Sequence, residues 1–550
     1  MRALFLSSIW PEPMASAAGV RTAALLRAFQ EWGYSTHFGC AAAPHDGMSS
    51  SVALLGKIYG AHALQVRPNH ENELQAAIEA ARPDVVVFDR YYTEESFSWA
   101  VKILAPKALR VLDMQDLHCL RKAREKFVKD ESKNGNVDLP KVLRHHPNAQ
   151  NEVLVRELAA VMRSDLNLVC SPIEMDLLEN VYGVQRNKLA LASFFASEAT
   201  PRETHSRRAA AFFDDVEDEA MDEPYVTSTD ANADAALANA AAASAQWKGF
   251  GFAKPFSARS HFVTVGTFRH SPNVDGLKYL KSDIWPKIRA RLPSAQLDVY
   301  GSYSTSQLEA ELEDEVGGFR MRGSCENLDV LADARVLLCC VRAGAGIKGK
   351  VVDAWRYGTP VVSTVIGAEG IGDTAHADWG GVVAGNTDDF AAAAVRLHEN
   401  EAAWTAAQLR AREMLAEHFD ASKNLAALRQ AVEEAVDALE VRRGNDYVGS
   451  LLWHHTARST EFFSRWVVQK EALKFAEQAE ESKVWPTSRP FSKEPYKTFK
   501  KGAAKGKQRE KLPKKQPREV DRPDYWRELK PALKPAPDDA DDCPDHLRAL

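Results

Sequence analysis

A glycine-rich turn between an apolar run and a short helix constrains the fold most, and it lies in residues 342–370 (RAGAGIKGKVVDAWRYGTPVVSTVIGAEG). The run VLLCCV precedes it, and a buried strand is predicted at 360–364. Glycines let backbone N–H groups approach a ligand, and a helix start offers unpaired donors and partial positive charge. With Lys348 and Lys350, these donors suit a phosphate. The alternative is an ordinary strand–loop–helix–strand unit with surface lysines.

One acid lies on the short helix that this stretch predicts at residues 347–357. Asp353 follows Gly346 by seven positions, about two helical turns, so it faces the same ligand. A carboxylate in that position suits the vicinal hydroxyls of a ribose.

Strand and helix patterns alternate in two separate parts of the chain. In the first part, short apolar runs lie at residues 3–6, 85–88, 109–112 and 166–169. In the second part they lie at 261–265, 297–300, 319–322 and 336–341, with amphipathic helices between them. Because such alternation builds parallel sheets covered by helices on both faces, we predict an α/β protein with two doubly wound domains, at 1–198 and 259–440.

Three further segments differ in composition from these domains. Residues 199–258 are rich in Ala, Asp and Glu, which predicts a disordered acidic insertion. Residues 441–484 predict a helical extension that folds back across the first domain. Residues 485–550 are rich in Pro and Lys, which predicts a disordered basic tail. This tail either only solubilises the chain or makes weak contact with RNA or an anionic membrane surface.

Charge and cysteine usage narrow the class of protein. The net charge of −6 argues against a nucleic-acid-binding protein overall. The seven cysteines show no metal-ligand spacing and no disulfide framework, so we expect no metal site and a reducing, cytoplasmic compartment. No run of about 18 apolar residues predicts a membrane span, and the apolar core of the N-terminus is too short for a signal peptide.

In the first predicted domain, polar residues follow the carboxyl ends of the strands. This is the edge of an open α/β sheet where ligands bind. The densest group, DMQDLH, contains Asp116, suited to a sugar hydroxyl, and His118, suited to acid–base work or a phosphate. The alternative is that Asp113 and Asp116 cap the next helix and His118 is an ordinary surface residue.

A small-residue loop follows the first strand and precedes a helix predicted at residues 20–32. Its Gly19 fits either a ligand cradle at the helix start or a tight turn. Arg21 is either an anion contact or a solvated arginine. A second glycine-tipped loop begins at Gly266 in the second domain, so two phosphate-suited turns are expected to share one crevice.

Four segments resemble a known family. VGTFRHSPNVDGLKYLKSDIWPKIRARLPSAQLDVYG and ARVLLCCVRAGAGIKGKVVDAWRYGTPVVSTVIGAEGI resemble the donor-binding domain of family 4, or group 1, glycosyltransferases of the GT-B type, in a bacterial-like GAGIKGK subgroup. SSIWPEPMASAAGVRTAALLRAF and LRVLDMQDLHCLRKARE resemble that subgroup's acceptor half. The resemblance covers residues 1–198 and 260–440. It implies two Rossmann-like domains facing a cleft.

The activity that this resemblance implies is transfer of a sugar from a UDP- or GDP-sugar to a hydroxyl of a glycan, lipid or protein. It further implies retention of configuration, no metal and no cofactor besides the donor substrate. No DxD motif stands where a metal–diphosphate bridge would need it.

The resemblance also implies roles for single residues. Gly266 lies against the diphosphate, and Gly346, Ile347 and Lys348 hold the phosphates. Asp353 matches the second acid of the family's E-x7-E signature, which contacts the ribose. His118 or Asp116 lies across the cleft near the transferred sugar.

Two departures from the family pattern accompany these matches. Ala345 stands where the first glutamate of the signature contacts the donor sugar. Asp275 stands where a basic residue is usual, so Arg269 or Arg342 is expected to replace it.

Three other functions compete with sugar transfer. A catalytically silent nucleotide-sugar-binding or scaffold protein would explain Ala345 and the long extensions. An NAD-dependent oxidoreductase would need GxGxxG after an early strand, where SSIWPEP stands instead. An RNA-binding protein would rely on the basic tail.

Overall fold

The computed structural model describes residues 1–13, 15–43, 55–56, 60–133, 135, 137–196, 254–325, 327–372 and 379–483. The predicted insertion lies outside these ranges except for residues 254–258, and the predicted basic tail lies outside them entirely.

The first domain contains a sheet of seven parallel strands. In chain order they are β1 (Arg2–Ser7), β2 (Ser35–Cys40), β3 (His62–Gln65), β4 (Val85–Asp89), β5 (Leu109–Asp113), β6 (Leu166–Val169) and β7 (Leu189–Leu191). The spatial order β3-β2-β1-β4-β5-β6-β7 reverses direction between β1 and β4. Every residue of β4 and β5 is buried, as expected for parallel strands covered on both faces.

The second domain contains six parallel strands. They are β8 (Ser260–Thr267), β9 (Leu297–Ser302), β10 (Phe319–Gly323), β11 (Ala334–Cys339), β12 (Val361–Thr364) and β13 (Gly381–Ala384). The order β10-β9-β8-β11-β12-β13 reverses between β8 and β11. Both sheets are doubly wound, so the predicted fold class is confirmed.

Helices of the first domain connect its strands across both faces of the sheet. They are α1 (Ala17–Glu31), α2 (Glu71–Ala81), α3 (Tyr91–Leu104), α4 (His118–Ser132), α5 (Leu139–Arg144), α6 (Glu152–Arg163) and α7 (Pro172–Asp176). The first of these begins three residues earlier than the sequence predicted. The reason is an N-cap: the Ser16 side chain accepts a hydrogen bond from the Gly19 amide.

Helices of the second domain follow the same pattern. They are α8 (Ser271–Tyr279), α9 (Trp285–Arg291), α10 (Ser306–Leu312), α11 (Val330–Asp333), α12 (Gly349–Arg356), α13 (Val365–Ala368), α14 (Thr387–Glu399) and α15 (Glu401–His418). A π-helical segment, Leu280–Ile284, joins α8 to α9.

The last described helices return to the first domain. They are α16 (Ala421–Asp437), α17 (Leu439–Gly444), α18 (Tyr447–Leu452) and α19 (Arg458–Lys483). Leu428 and Val432 of α16 join the apolar cluster that contains Phe5 and Phe29. The Arg443 guanidinium lies 2.6 Å from the carboxylate of Asp165 in the first domain.

Within the described ranges, no helix is both long enough and apolar enough to span a bilayer.

Candidate functional site

The loops at the two sheet reversals lie where the first and second domains touch. The loop after β1 reaches the second domain, where the Ser302 hydroxyl donates to the Ala15 carbonyl at 3.2 Å. A Cβ placed on Gly346 would lie 3.0 Å from the Asp116 Cβ. The acidic turn after β5 and the glycine turn after β11, both singled out from the sequence, are therefore brought together.

In the acidic turn, Asp116 is held by a guanidinium and an imidazole. Its Oδ2 accepts from Arg121 Nε at 2.7 Å, and its Oδ1 lies 3.1 Å from His118 Nδ1. Burial alone would raise the pKa of Asp116, but Arg121 and His118 outweigh it and hold that pKa below its ordinary value. Asp116 is therefore a permanent carboxylate here.

His118 is mostly enclosed beside two aromatic rings. Burial lowers its pKa, with Asp116 opposing and Arg121 adding to the effect, so the neutral imidazole is favoured. The rings of Tyr91 and Tyr92 lie 5.6 and 5.9 Å away. The alternative in which Asp116 caps the next helix is not what forms: α4 has Leu117 as its N-cap, without a side-chain cap.

Two buried glutamates that the sequence did not single out cap this turn instead. Glu157 accepts from the His118 and Cys119 amides at 3.0 and 2.8 Å. Glu174 accepts from the Leu117 amide at 3.1 Å and from the Gly346 amide at 2.6 Å. Burial raises the pKa of Glu157 to about 7 and, together with the charge of Asp116, that of Glu174 to about 8. Both lie on helices remote in sequence, so no local spacing reveals them.

In the glycine turn, Lys348 is buried rather than presented to solvent. Its amine donates to the Gly346 carbonyl at 2.8 Å and lies 4.0 Å from Glu369. Burial lowers its pKa, with Glu369 opposing. Gly346 has φ of 65°, a conformation that favours glycine. Ile347 is buried in the core cluster of the second domain.

Lys350 is the lysine beside the second glycine loop. Its amine donates to Asn273 Oδ1 at 3.0 Å, and a Cβ on Gly266 would lie 3.0 Å from the Asn273 amide nitrogen. A cavity of about 10 Å³, room for about one water molecule, is lined by Gly266, Asn273 and Lys350. Sequence patterns indicated Lys350, together with Lys348, as suited to a phosphate, and Lys350 lies three residues before Asp353, on the same helix face.

His270 extends this group toward the first domain. Burial and then the charge of Arg121 lower the pKa of His270 to about 4, with Asp116 opposing. His270 therefore lies near the Asp116–Arg121 pair, although it belongs to the second domain. No sequence pattern assigned His270 a role.

The remaining predicted donor-side residues have protein partners. Arg342 forms a two-point pair with Asp275, at 2.5 and 2.9 Å. The Arg269 guanidinium lies over the Tyr303 ring, 3.4 Å from its centroid. Asp353 keeps 31% of its side chain exposed and lies 3.5 Å from Arg356.

Gly19 and Arg21 stabilise the loop that follows β1 in the first domain. A Cβ on Gly19 would lie 2.4 Å from the Glu12 backbone, so only glycine fits there. Arg21 is buried and donates to Asp113 Oδ1 at 2.8 Å. It is therefore neither a solvated arginine nor an open anion contact in this conformation.

A buried ion pair joins the two domains next to the glycine turn. Arg124 of α4 donates to both carboxylate oxygens of Glu369, at 2.6 and 2.8 Å, and to the Gly344 carbonyl at 2.9 Å. Its side chain is 3% exposed and that of Glu369 is 8% exposed. The glycine turn is thus held from the first domain at Gly344 and at Gly346.

Ala345 lies between these two contacts. It is 9% exposed and belongs to the apolar cluster of the first domain, with Met114, Leu117 and Met175. A glutamate at this position would place a charge in that cluster. The departure from the family signature therefore matches the packing of this chain.

The described residues contain no group of three or more His, Cys, Asp or Glu side chains suited to hold a metal ion. The six cysteines in these ranges are free thiols.

Comparisons with known proteins agree with this architecture. The family model described as "Glycosyl transferases group 1" matches residues 259–400. No curated protein sequence matches the chain.

Solved structures share the fold across most of the chain. Sucrose-phosphate synthase from Thermosynechococcus elongatus is 14% identical with a TM-score of 0.50, and the match covers 80% of this chain and 100% of that one. The pneumococcal O-GlcNAc transferase GtfA, in complex with UDP and GlcNAc, is 10% identical with a TM-score of 0.51, covering 79% and 99%. A TarM variant from S. aureus, whose complex includes UDP, is 8% identical with a TM-score of 0.51, covering 78% and 99%. The chain therefore has the two-domain GT-B fold, and residues 259–400 match the model of group 1 glycosyl transferases.

Proposed function

We propose that the protein is a glycosyltransferase of the family 4 type, which moves a sugar from a UDP- or GDP-sugar to an acceptor hydroxyl. The reaction proceeds with retention, without a metal, in the cytoplasm. The acceptor is a glycan, a lipid or a protein. The structures of GtfA and TarM contain UDP, which supports a uridine nucleotide donor.

The observation that carries the proposal is the meeting of both sheet reversals at one crevice. Ligands of open α/β sheets bind at such reversals, beyond the carboxyl ends of the strands. Here the crevice combines backbone amides of the glycine turn, the amines of Lys348 and Lys350, and the neutral imidazoles of His118 and His270. These groups suit an anionic diphosphate linked to a sugar.

We assign the donor-side roles as follows. Gly266, Gly346 and Ile347 present backbone to the diphosphate, and Lys348 and Lys350 supply charge. Asp353, whose carboxylate is partly exposed, accepts the ribose hydroxyls. Asp275 already neutralises Arg342, so Arg342 is less available to the diphosphate. Arg269 is therefore the additional cation that we assign to the donor site.

On the acceptor side, Asp116 and His118 lie near the transferred sugar. The loop that Gly19 and Arg21 shape closes over the acceptor. In the transfer step, the bond between the sugar C1 and the phosphate oxygen breaks, and C1 bonds to the acceptor oxygen. The acceptor proton leaves with the nucleoside diphosphate. Fixed amides and lysine charge stabilise this departing anion.

Release of nucleoside diphosphate from a panel of UDP-, GDP- and ADP-sugars tests the proposal. We expect sustained turnover with at least one donor in the presence of acceptor. Lys350→Ala should lower kcat/KM by about 10- to 100-fold, because a hydrogen bond to a charged group is lost. Lys278→Ala is the matched control, since Lys278 lies on the same domain but pairs with Glu311 at the surface. No release from any donor would overturn the proposal.

A second candidate function is nucleotide-sugar binding without catalysis. The burial of Ala345 favours it, because the usual carboxylate contact to the donor sugar is missing. The same assay separates the two: donor binding without turnover would select the silent protein.

A further inference from the structure

Glu174 has a carboxylate that the two domains share. It lies on α7, after β6 of the first domain, and its side chain is buried. One oxygen, Oε1, accepts from Leu117 of the first domain at 3.1 Å and from Gly346 of the second at 2.6 Å. The other oxygen lies 3.8 Å from the Cys170 thiol. The amide of the glycine turn thus already donates to a carboxyl oxygen atom.

That same amide is the one that the proposed function assigns to the donor diphosphate. The Gly346 N–H points from a left-handed residue to a single position, which Glu174 Oε1 fills. A phosphate oxygen cannot accept this hydrogen bond while the carboxylate remains there. A second negative charge beside an enclosed carboxylate would also be strongly repelled.

We propose that Glu174 is an internal substitute for the donor phosphate: it latches the glycine turn to the first domain, and the nucleotide diphosphate must displace it to bind. This inference rests on the proposed function. It makes Glu174 a positioning residue that sets donor affinity, since it touches the binding turn and not the sugar.

The groups that face Glu174 make its charge sensitive to pH. Burial and the charge of Asp116 disfavour its ionised form, whereas the two amides and Lys348 favour it. Burial raises the pKa of the adjoining Cys170 thiol, and the charge of Arg21 opposes that rise. As pH rises and Glu174 ionises, competition with phosphate grows and donor affinity falls. Loss of charge on Lys348 acts in the same direction, so the wild type must be compared with a variant that lacks only the carboxylate.

Titration of UDP-glucose into the full-length chain between about pH 6 and about pH 9 tests the latch. The phosphates of UDP-glucose are diesters and lack the second proton, of pKa about 6, that a phosphate monoester carries, so the charge of the diphosphate stays constant. Glu174→Gln keeps a neutral acceptor for Gly346 but removes the competing charge. We expect it to bind UDP-glucose about tenfold more tightly than the wild type at the upper end of this range. The gain should shrink toward the lower end.

Glu157→Gln is the matched control. Glu157 is equally buried and accepts two amides of the same turn, but it touches no second-domain group in the described ranges. It should leave UDP-glucose affinity within about twofold of the wild type, and thermal unfolding of both variants checks that they fold.

The outcomes are separable. Equal or weaker binding by a folded Glu174→Gln variant, with a wild type that binds, overturns the latch and leaves the proposed function standing. Binding by neither wild type nor Glu174→Gln, repeated with GDP-glucose and ADP-glucose, overturns both. Binding by Glu174→Gln alone supports the latch.

Discussion

The acidic turn at Asp113–His118 and the glycine turn at Gly344–Gly349 lie against each other but are built on different principles. The acidic turn is made of side chains, and its charges are satisfied within its own domain: Arg21 pairs with Asp113 and Arg121 with Asp116. The glycine turn presents backbone groups, and its partners come from across the cleft. Gly344 is held by Arg124 and Gly346 by Glu174.

The acidic turn should therefore be rigid, whereas the glycine turn should be able to exchange its protein partners for a ligand. Side chains that neutralise one another need no ligand to stay in place. Backbone groups held by the opposite domain, such as the Gly346 N–H and the Gly344 carbonyl, can exchange that partner for a ligand. We therefore expect changes in the acidic turn to alter stability, and changes in the glycine turn to alter stability and nucleotide affinity together.

The largest expected effect comes from the ion pair that joins the domains. Arg124→Ala removes both hydrogen bonds to the buried Glu369 carboxylate and leaves it only the Lys348 amine at 4.0 Å, so the free energy of unfolding should fall by about 3–5 kcal/mol. Arg156→Ala is the control, because its pair with Glu95 is partly exposed and should contribute about 0–1 kcal/mol. Chemical denaturation measures both. Similar losses in the two variants would show that the interdomain pair is not special.

A pH series tests the capping of the acidic turn. The pKa of Glu157 is raised from 4.5 to about 7, so the folded state binds more protons than the unfolded state between these values. Its contribution to stability, about 3 kcal/mol, is fully present below about pH 4.5 and is lost as pH rises through about 7. The unfolding free energy of the wild type should therefore fall by about 3 kcal/mol relative to that of Glu157→Gln across this window. If the two unfolding free energies differ by the same amount at every pH, the raised pKa of Glu157 is refuted.

A smaller effect compares two glycines that both have positive φ. Gly346→Ala must adopt φ of 65° and also meets Asp116 and Cys170 of the first domain at 3.0 and 3.2 Å. Gly33→Ala, at φ of 86°, meets nothing within 4 Å. We expect about 2–3 kcal/mol of destabilisation for the first and about 1 kcal/mol for the second. Weaker UDP-glucose binding should accompany only the first, and equal effects on both would argue against close contact at the cleft.

Sequence patterns predicted nine of the thirteen strands in the described ranges, the two doubly wound sheets and the two turns, because each depends on local apolar periodicity and on glycine. They did not predict β2, β3, β7 and β13. They also indicated Lys348 and Asp353. They missed Glu157 and Glu174, since each caps an element far away in the chain. They missed the fixed pairing of Arg342 with Asp275, because ion pairing depends on packing between a loop and a helix. The structure gives the positions of Lys348 and Asp353, but their roles in donor binding stay predictions.

The domain boundary near residue 440 also depends on contacts that local sequence patterns do not reveal. Helical periodicity located α16, yet periodicity does not say which core an apolar face joins. Leu428 and Val432 pack with Phe5 and Phe29, so the helix crosses from the second domain to the first. The expected fold-back of the C-terminal extension therefore begins earlier, within α16.

Calorimetric titration of UDP, GDP and ADP into the full-length protein tests most directly whether the crevice is a nucleotide-diphosphate site. We predict saturable binding of at least one of the three, weakened at least about tenfold by Lys350→Ala and unchanged by Lys278→Ala. Failure of all three nucleotides to bind, or equal affinity in the wild type and Lys350→Ala, would contradict the assignment.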